Sequence, residues 1–308
     1  MKRWPDPDAI YRGLLMGAAA IVFLVIALVV YEATRGALPS LRAFGLGFLT
    51  GREWDPVAER FGAFPYIYGT LVTSAIALAL ALPVGVGSAV FLSEVAGRRL
   101  GPPIAFVMEL LAAIPSIVYG IWGFFVLAPV LRTTVEPWLI AKLGFLPLFS
   151  GFPFGIGILN AGIVLAIMIV PTIISISREI LLQTPQSLRE AALALGATRS
   201  EAIAVAVDAA RPGILGATIL ALGRALGETM AVTMVIGNTN LITGSLLSPG
   251  ATMASVIANE FTEATTELHL AALTEIALAL FVVTVIVNAL ARALVYWATG
   301  GRREVAHA

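Results

Sequence analysis

Six long apolar runs constrain this sequence more than any other feature. They cover residues 13–31, 66–93, 104–129, 156–177, 213–236 and 272–297. Because a helix rises about 1.5 Å per residue, runs of this length can cross a hydrocarbon core of about 30 Å. None of them shows the strict alternation of polar and apolar residues that a barrel strand requires. The sequence therefore predicts an all-α polytopic membrane protein with six transmembrane helices.

Composition narrows the chemistry that the chain can carry. Apolar residues make up 59% of it and charged residues 12%, whereas a soluble domain carries about 25% charged residues. The formal net charge of zero gives no basic surface for nucleic acid. With no cysteine and only His269 and His307, the sequence offers no ligand cluster for a metal ion. We therefore expect no metal site in this chain.

Nucleotide hydrolysis is not predicted for this chain either. A P-loop needs a Gly-Lys-Ser/Thr run so that its lysine can reach the phosphates, and Lys2 and Lys142 lie in no such run. The sequence also lacks a Ser/His, His-Glu or paired-aspartate constellation that would suggest an intramembrane enzyme. We expect a protein without catalytic residues, and any ATP that drives it must be bound by another subunit.

The distribution of lysine and arginine predicts the orientation of the helices. With the N-terminus inside, twelve basic residues fall in cytoplasmic segments and six on the opposite side. The positive-inside rule then places both termini in the cytoplasm. On the outer side we expect a mixed polar loop at residues 35–64, with Trp54 and Phe61 partly at the interface. A second outer loop, without lysine or arginine, is expected at residues 237–270.

The chain is expected to consist of three segments. Residues 1–63 would hold an N-terminal cytoplasmic segment, the first transmembrane helix and a periplasmic loop. Residues 64–298 would form a core of five transmembrane helices with a cytoplasmic loop at residues 178–212, and residues 299–308 a cytoplasmic tail. Prolines inside three spans either shape helix packing or mark a water-filled pathway that satisfies the freed carbonyls; they are Pro83, Pro115 and Pro171.

The loop at residues 178–212 differs most sharply from the rest of the chain. Its first 34 residues hold four arginines and four acids, so it must lie in water. Pro185 precedes the text SLREAALAL, which predicts a short helix with proline near its start. Gly196 should end that helix, and a second short helix should follow from about Ser200. We expect the two helices to form a compact cytoplasmic knob.

Two sets of residues resemble a known family of membrane proteins. The run Glu190, Ala191 and Ala192, followed after three residues by Gly196, resembles the EAA loop of ABC-importer permeases, whose coupling helices seat in a groove of the ATP-binding subunit. The texts AIPSIVYG, at residues 113–120, and GRALGET, at residues 223–229, resemble the phosphate-specific permeases of that class.

The resemblance covers residues 64–298, with one departure. The family's EAA loop usually closes with an apolar residue and proline, whereas this chain reads VAVD at residues 205–208. The departure concerns the geometry of the loop's exit.

The resemblance implies a type I ABC importer permease of MetI-like architecture in the bacterial inner membrane. It implies phosphate as the substrate. The expected partners are a homologous permease subunit, a dimer of ATPase subunits that use ATP and Mg, and a periplasmic phosphate-binding protein. Glu190, Ala191, Ala192 and Gly196 would couple the chain to the ATPase.

Three alternative functions stay open. The chain could carry another oxyanion, such as sulfate, molybdate or phosphonate. It could be the paired permease of the phosphate system. A proton-coupled secondary transporter would use Glu228 as a relay and would need no ATPase.

Arg224 and Glu228 are the candidate substrate-pathway residues. In a helix over residues 213–236, Arg224 lies about ten residues in, or about 15 Å deep, and Glu228 shares its face at i+4. Because a charge at this depth costs about 2.5–3.5 kcal/mol, the two are expected to pair. The pair is either an internal salt bridge or an anion site, in which Arg224 offers a planar fork of donors and Glu228 accepts a hydrogen bond from a protonated phosphate.

Small residues recur at four-residue spacing in the same predicted helix. Gly223, Gly227 and Ala231 would form a stripe that allows close approach of another helix. By the resemblance, that helix would include the matching span of the partner permease. The pathway would then lie at a subunit interface.

Overall fold

The computed structural model describes residues 7–298, and this range is mostly helical. Its β-structure is limited to two isolated bridges. In chain order, the helices of six residues or more are α1 (Pro7–Phe44), α2 (Phe64–Val95), α3 (Gly97–Ala112), α4 (Ser116–Leu143), α5 (Ile158–Gln183), α6 (Gln186–Ala194), α7 (Arg199–Leu226), α8 (Met230–Val235), α9 (Met253–Glu260) and α10 (Glu267–Ala298). Within this range, six helices are long and apolar enough to cross a membrane, which confirms the predicted fold class; they are α1, α2, α4, α5, α7 and α10.

The central helix of the fold is α5, the most buried of these six. The core around it draws on α2, α4, α7 and α8. Two glycines bring α2 and α5 together: a Cβ at Gly85 would lie 2.7 Å from Ile173 Cγ2, and one at Gly162 would lie 2.5 Å from Ile76 Cγ2. In a lipid bilayer the hydrophobic effect does not drive helices together, so close packing of their backbones stabilises the contact, and small residues allow that close approach.

The first helix lies at the edge of the fold. Its side chains from Tyr11 to Val29 are all exposed, as a helix surrounded by lipid requires. Its C-terminal part packs along α10, where a Cβ at Gly36 would lie 3.1 Å from Thr274 Cγ2. The predicted tail at residues 299–308, and the basic residues Lys2, Arg3, Arg302 and Arg303 that support cytoplasmic termini, lie outside the described residues.

The segments expected as outer loops are more ordered than predicted. Helix α1 continues to Phe44, so residues 35–44 are not loop, and α9 lies within residues 237–270. Trp54 and Phe61 are buried in an aromatic cluster with Tyr66 and His269 instead of lying at the interface. Trp54 Nε1 donates a hydrogen bond to a Glu260 carboxylate oxygen at 2.8 Å. The prediction for these aromatic residues failed because the spacing of apolar residues along the sequence does not reveal contacts between distant segments.

The third predicted span, residues 104–129, is interrupted. Helix α3 ends at Ala112 and α4 begins at Ser116, with Pro115 as its N-cap. The Tyr119 hydroxyl donates to the Leu111 carbonyl at 2.7 Å and ties the two sides of the break together. Proline explains the break, because it lacks an N–H and disfavours helical backbone in the preceding residue.

The fifth predicted span, residues 213–236, is also not one helix. Helix α7 ends at Leu226, and α8 begins only at Met230. At its other end α7 begins at Arg199, so the second short helix predicted for the knob is the start of this span. Both observations correct the prediction of one helix over residues 213–236 preceded by a separate short helix.

Candidate functional site

The two interrupted spans meet through the segments singled out in the sequence. A Cβ at Gly120 in α4 would lie 2.9 Å from the Cα of Ala231 in α8, which is fully buried. One at Gly123 would lie 2.9 Å from Val235 Cγ1. The segment AIPSIVYG therefore ends against α8, the helix that begins directly after GRALGET, although about one hundred residues separate the two in the sequence.

The predicted stripe of small residues does not form one face. Gly223 lies beside Asn288 of α10, because a Cβ there would lie 3.7 Å from Asn288 Nδ2. Gly227 follows the end of α7 and is exposed, while Ala231 packs against α4. The prediction was wrong because four-residue spacing aligns side chains only in a continuous helix. Among the three, Ala231 makes a close contact with another helix of the same chain, α4, and the contact with a partner permease stays a prediction.

Arg224 lies in the last turn of α7 and is half-buried. Its Nη1 is 3.4 Å from Thr172 Oγ1 of α5, a long hydrogen bond. The unsatisfied carbonyls and the dipole at a helix C-terminus favour a cation there. The arginine is therefore stabilised by its own helix without needing an acidic partner.

Arg224 borders an open cleft of about 990 Å³, which we call the Arg224 cleft. It is lined by Thr172 of α5, by residues 216–224 of α7 and by residues 285–292 of α10. Arg292 is a second cation in this lining. The lining residues of α10 lie in the second half of that helix, which points towards the cytoplasm in the predicted orientation.

Glu228 is not part of this cleft and does not pair with Arg224. Its Oε1 accepts a hydrogen bond from the Ala231 backbone N–H at 3.2 Å, so it caps the start of α8. Within residues 7–298, no ion pair joins it to Arg224. The predicted i, i+4 pair was wrong because the helix stops between the two residues.

Two adjacent sequence signals could have revealed this break. Gly227 directly follows the last helical residue of α7, and Thr229 is the N-cap of α8. Glycine after a helix and threonine before one are the usual stop and start residues. These two signals were overlooked because residues 213–236 form one apolar run, and hydropathy carries no information about helix-capping residues.

The knob predicted in the EAA-like loop is present. Helix α6 follows Pro185 and ends in a Schellman motif, with Gly196 at φ +87° and hydrogen bonds from Ala197 N to Ala192 O and from Gly196 N to Leu193 O. Helix α7 then starts with a capping box between Thr198 and Glu201.

The predicted coupling residues lie on the surface of this knob. Glu190, Ala191 and Gly196 are exposed, and Ala192 is half-buried. Leu193 and Leu195 expose 50% and 90% of their surface. Exposed leucines beside polar residues suit a protein contact better than water.

Arg189 fixes α6 to the rest of the protein. Its Nε and Nη2 donate to the two Glu94 carboxylate oxygens at 3.1 and 2.5 Å. The same guanidinium donates to the carbonyls of Thr184 and Leu181, at 2.9 and 3.1 Å, near the end of α5. Arg199 adds a bond to the Glu94 carbonyl at 3.1 Å. Sequence reasoning missed Glu94 because 95 residues separate it from Arg189.

Comparison with known proteins shows the family of the chain. The family model described as "Binding-protein-dependent transport system inner membrane component" matches residues 81–298. The chain belongs to this family. It is 46% identical to the phosphate transport system permease protein PstC of Mesorhizobium japonicum, over 95% of this chain and 91% of that protein. It is also 46% identical to the PstC protein of Haemophilus influenzae, over 90% and 89%.

These findings confirm the predicted resemblance to phosphate-specific permeases. Among solved structures, an inward-facing MetNI methionine ABC transporter is similar to this permease, with a TM-score of 0.52 at 18% identity over 76% of this chain and 93% of that chain. At this identity the likeness concerns the fold alone. The permease has the predicted type I importer architecture and is a multi-pass integral membrane protein.

Proposed function

We propose that this permease imports inorganic phosphate as the membrane subunit of an ATP-driven transporter, and that Arg224 contacts the anion in transit. One observation carries the proposal. The GRALGET segment ends α7 so that its arginine faces an open cleft inside the membrane region and lacks a carboxylate partner among the described residues.

The chemistry of the guanidinium fits a tetrahedral oxyanion. Arginine stays protonated at all physiological pH values and presents a planar fork that matches two oxygens at once. A charge in this position is costly unless a counter-charge or water offsets it. Because the helix end holds the arginine, a passing anion can bind and leave without competing against a fixed acid.

The coupling side of the proposal rests on α6 and α7. An ATPase that binds the exposed face of α6 would contact the residues predicted for coupling: Glu190, Ala191, Ala192 and Gly196. Movement of this knob would reach the cleft directly, since α7 starts beside Gly196 and ends beside Arg224. Arg189 would transmit the same movement to α2 and α5.

The proposed partners correspond to the two proposed roles of the permease, binding the anion and coupling to an ATPase. The proposed importer contains a homologous PstA-like permease, which would close the open side of the Arg224 cleft, and a PstB-like ATPase dimer that holds ATP and Mg. A PstS-like periplasmic protein would deliver phosphate on the outer side. In this assembly the permease has no ATPase site of its own, and it lies in the bacterial inner membrane with both termini in the cytoplasm.

The test is phosphate uptake by the reconstituted complex, with ATP hydrolysis followed in parallel. Replacing Arg224→Gln should lower uptake by about tenfold or more, the range expected for losing a charged hydrogen bond, while hydrolysis stimulated by the binding protein persists. Arg211→Gln, an exposed position in the same helix, is the matched control. Unchanged uptake in Arg224→Gln would remove Arg224 from the anion path.

The same vesicles separate the alternatives. Sulfate, molybdate and phosphonate, supplied with their own binding proteins or as competitors, should leave phosphate uptake unaffected. A secondary transporter would accumulate phosphate with a proton gradient and no ATP. That result would contradict the proposed ABC mechanism, because α6 would then have no docking role.

A further inference from the structure

A second cation lies in the Arg224 cleft. From the sequence alone it was counted only as one of the twelve predicted cytoplasmic basic residues. Arg292 of α10 lines the same cleft and is exposed. Within the described chain, neither arginine forms an ion pair, and no acidic side chain is part of the cleft lining. The cleft therefore carries two positive charges without a fixed counter-charge.

Asn288 lines the same cleft as the two arginines. Its Nδ2 is next to Gly223, so it is level with Arg224, and Arg292 follows four residues later on α10, about 6 Å further along the helix. The Asn288 Oδ1 is buried and has no hydrogen-bond partner. A buried amide oxygen without a partner costs about 1–3 kcal/mol, and a hydrogen bond accepted from a ligand or a bound water would offset this cost.

We propose that Arg292 and Asn288 form, with Arg224, a second binding station for a partly protonated tetrahedral oxyanion, on the cytoplasmic side of Arg224. This inference rests on the proposed function. The arginines supply charge and donors, and the Asn288 amide supplies an acceptor for the P–OH proton together with a donor. Conduction needs sites that attract an ion yet release it to a neighbour, and two cations offset along one cleft meet this requirement.

A lipid phosphate has the same chemistry as the free anion. Arg292 lies near the C-terminal end of α10, where headgroups are expected in the predicted orientation. The placement of Arg292 in one cleft with Arg224 and Thr172 favours the free anion. The experiment must nevertheless separate the two sources.

The permease contains no cysteine, so Ala289→Cys introduces a single thiol into the cleft lining of this chain. The rate of its modification by anionic and cationic methanethiosulfonates, followed on the permease band of the purified complex, reports the local potential. We expect the anionic reagent to react faster. Inorganic phosphate should slow both reagents, whereas chloride at the same ionic strength should not.

Substitutions in this background test the named residues. Arg292→Gln should reduce the preference for the anionic reagent by about three- to tenfold, as expected for removing one charge within several ångströms, and should weaken protection by phosphate. Asn288→Ala should weaken protection and leave the charge preference unchanged. Arg211→Gln should change neither.

Lipid is controlled by comparing lipid-free detergent with nanodiscs of phosphatidylcholine, with and without phosphatidylglycerol. Protection by inorganic phosphate in detergent and in phosphatidylcholine supports the station. Protection by phosphatidylglycerol alone, or by neither, overturns it. Equal protection by phosphate in the Ala289→Cys variant with and without Arg292→Gln would also overturn the proposed station. The proposed function is tested separately, by phosphate uptake in Arg224→Gln.

Discussion

Arg189 and Arg224 both lie against α5, yet they are held in opposite ways. Arg189 makes four hydrogen bonds, two of them to the buried Glu94 carboxylate. Arg224 makes one long bond to a hydroxyl and faces an open cleft. An arginine with four of its five N–H donors bonded within the protein fixes structure, whereas one whose donors are mostly free can bind a passing anion. In the proposed function, the contrast distinguishes the end of the permease that would couple to the ATPase from the end that would bind the anion.

Replacing Arg189, the arginine with four hydrogen bonds, should have the largest effect on stability. Arg189→Ala leaves the Glu94 carboxylate, whose side chain is only 9% exposed, without its cation. We expect the free energy of unfolding to fall by about 3–5 kcal/mol, measured by thermal denaturation of the purified complex. Arg199→Ala, which removes one bond at an exposed position, should cost about 1 kcal/mol. Similar losses in the two variants would contradict the anchoring role of Arg189.

An effect on coupling, with a smaller effect on stability, is expected at Gly196. Its φ of +87° suits glycine, and Gly196→Asp forces a Cβ into this region at a cost of about 1–2 kcal/mol. Because the position is exposed, the complex should assemble, but ATP should be hydrolysed with less phosphate imported per turnover. Gly196→Asn, which tolerates this conformation better, should fall in between. Normal uptake per ATP in Gly196→Asp would exclude the residue from coupling.

The smallest effect on stability is expected for Glu228→Gln. Glutamine keeps an oxygen that can accept the Ala231 N–H, so the free energy of unfolding should change by less than about 1 kcal/mol. The exclusion of sulfate should weaken if the carboxylate accepts a hydrogen bond from a protonated phosphate, measured as phosphate uptake in the presence of sulfate. Glu109→Gln, an exposed acid of α3, is the control. If uptake and sulfate exclusion are both unchanged, Glu228 only caps α8.

The sequence was sufficient for features that depend on local pattern. The six membrane-crossing helices, the short helix after Pro185 and its end at Gly196 follow from apolar run length and from capping residues. Arg224 was recognised as exceptional because a charge inside an apolar run is costly. These properties can be read within about twenty residues of chain.

Features that depend on tertiary contacts were missed. The Glu94–Arg189 anchor joins residues far apart in the sequence, and each alone reads as a surface charge. Trp54 and Phe61 looked like interface aromatics because their partners, such as His269, lie about 200 residues away. Arg292 was counted only as a cytoplasmic charge, since no sequence pattern shows that it lines the same cleft as Arg224. The break at Gly227 was readable, but the hydropathy of the run outweighed it.

Because α7 is one continuous helix, it can act as a lever that transmits movement from the knob at its start to Arg224 near its end. Twenty-five residues separate Arg199 from Arg224, so the arm is about 38 Å long. A tilt of only about 5° at the knob would carry the guanidinium by about 3 Å, roughly the length of one hydrogen bond. Pro212 lies near the middle of the arm and leaves one backbone carbonyl unbonded, so bending should concentrate there. In the proposed importer, the movement that reaches phosphate would therefore depend on the stiffness of the helix at Pro212, a residue outside both the proposed ATPase contact and the Arg224 cleft.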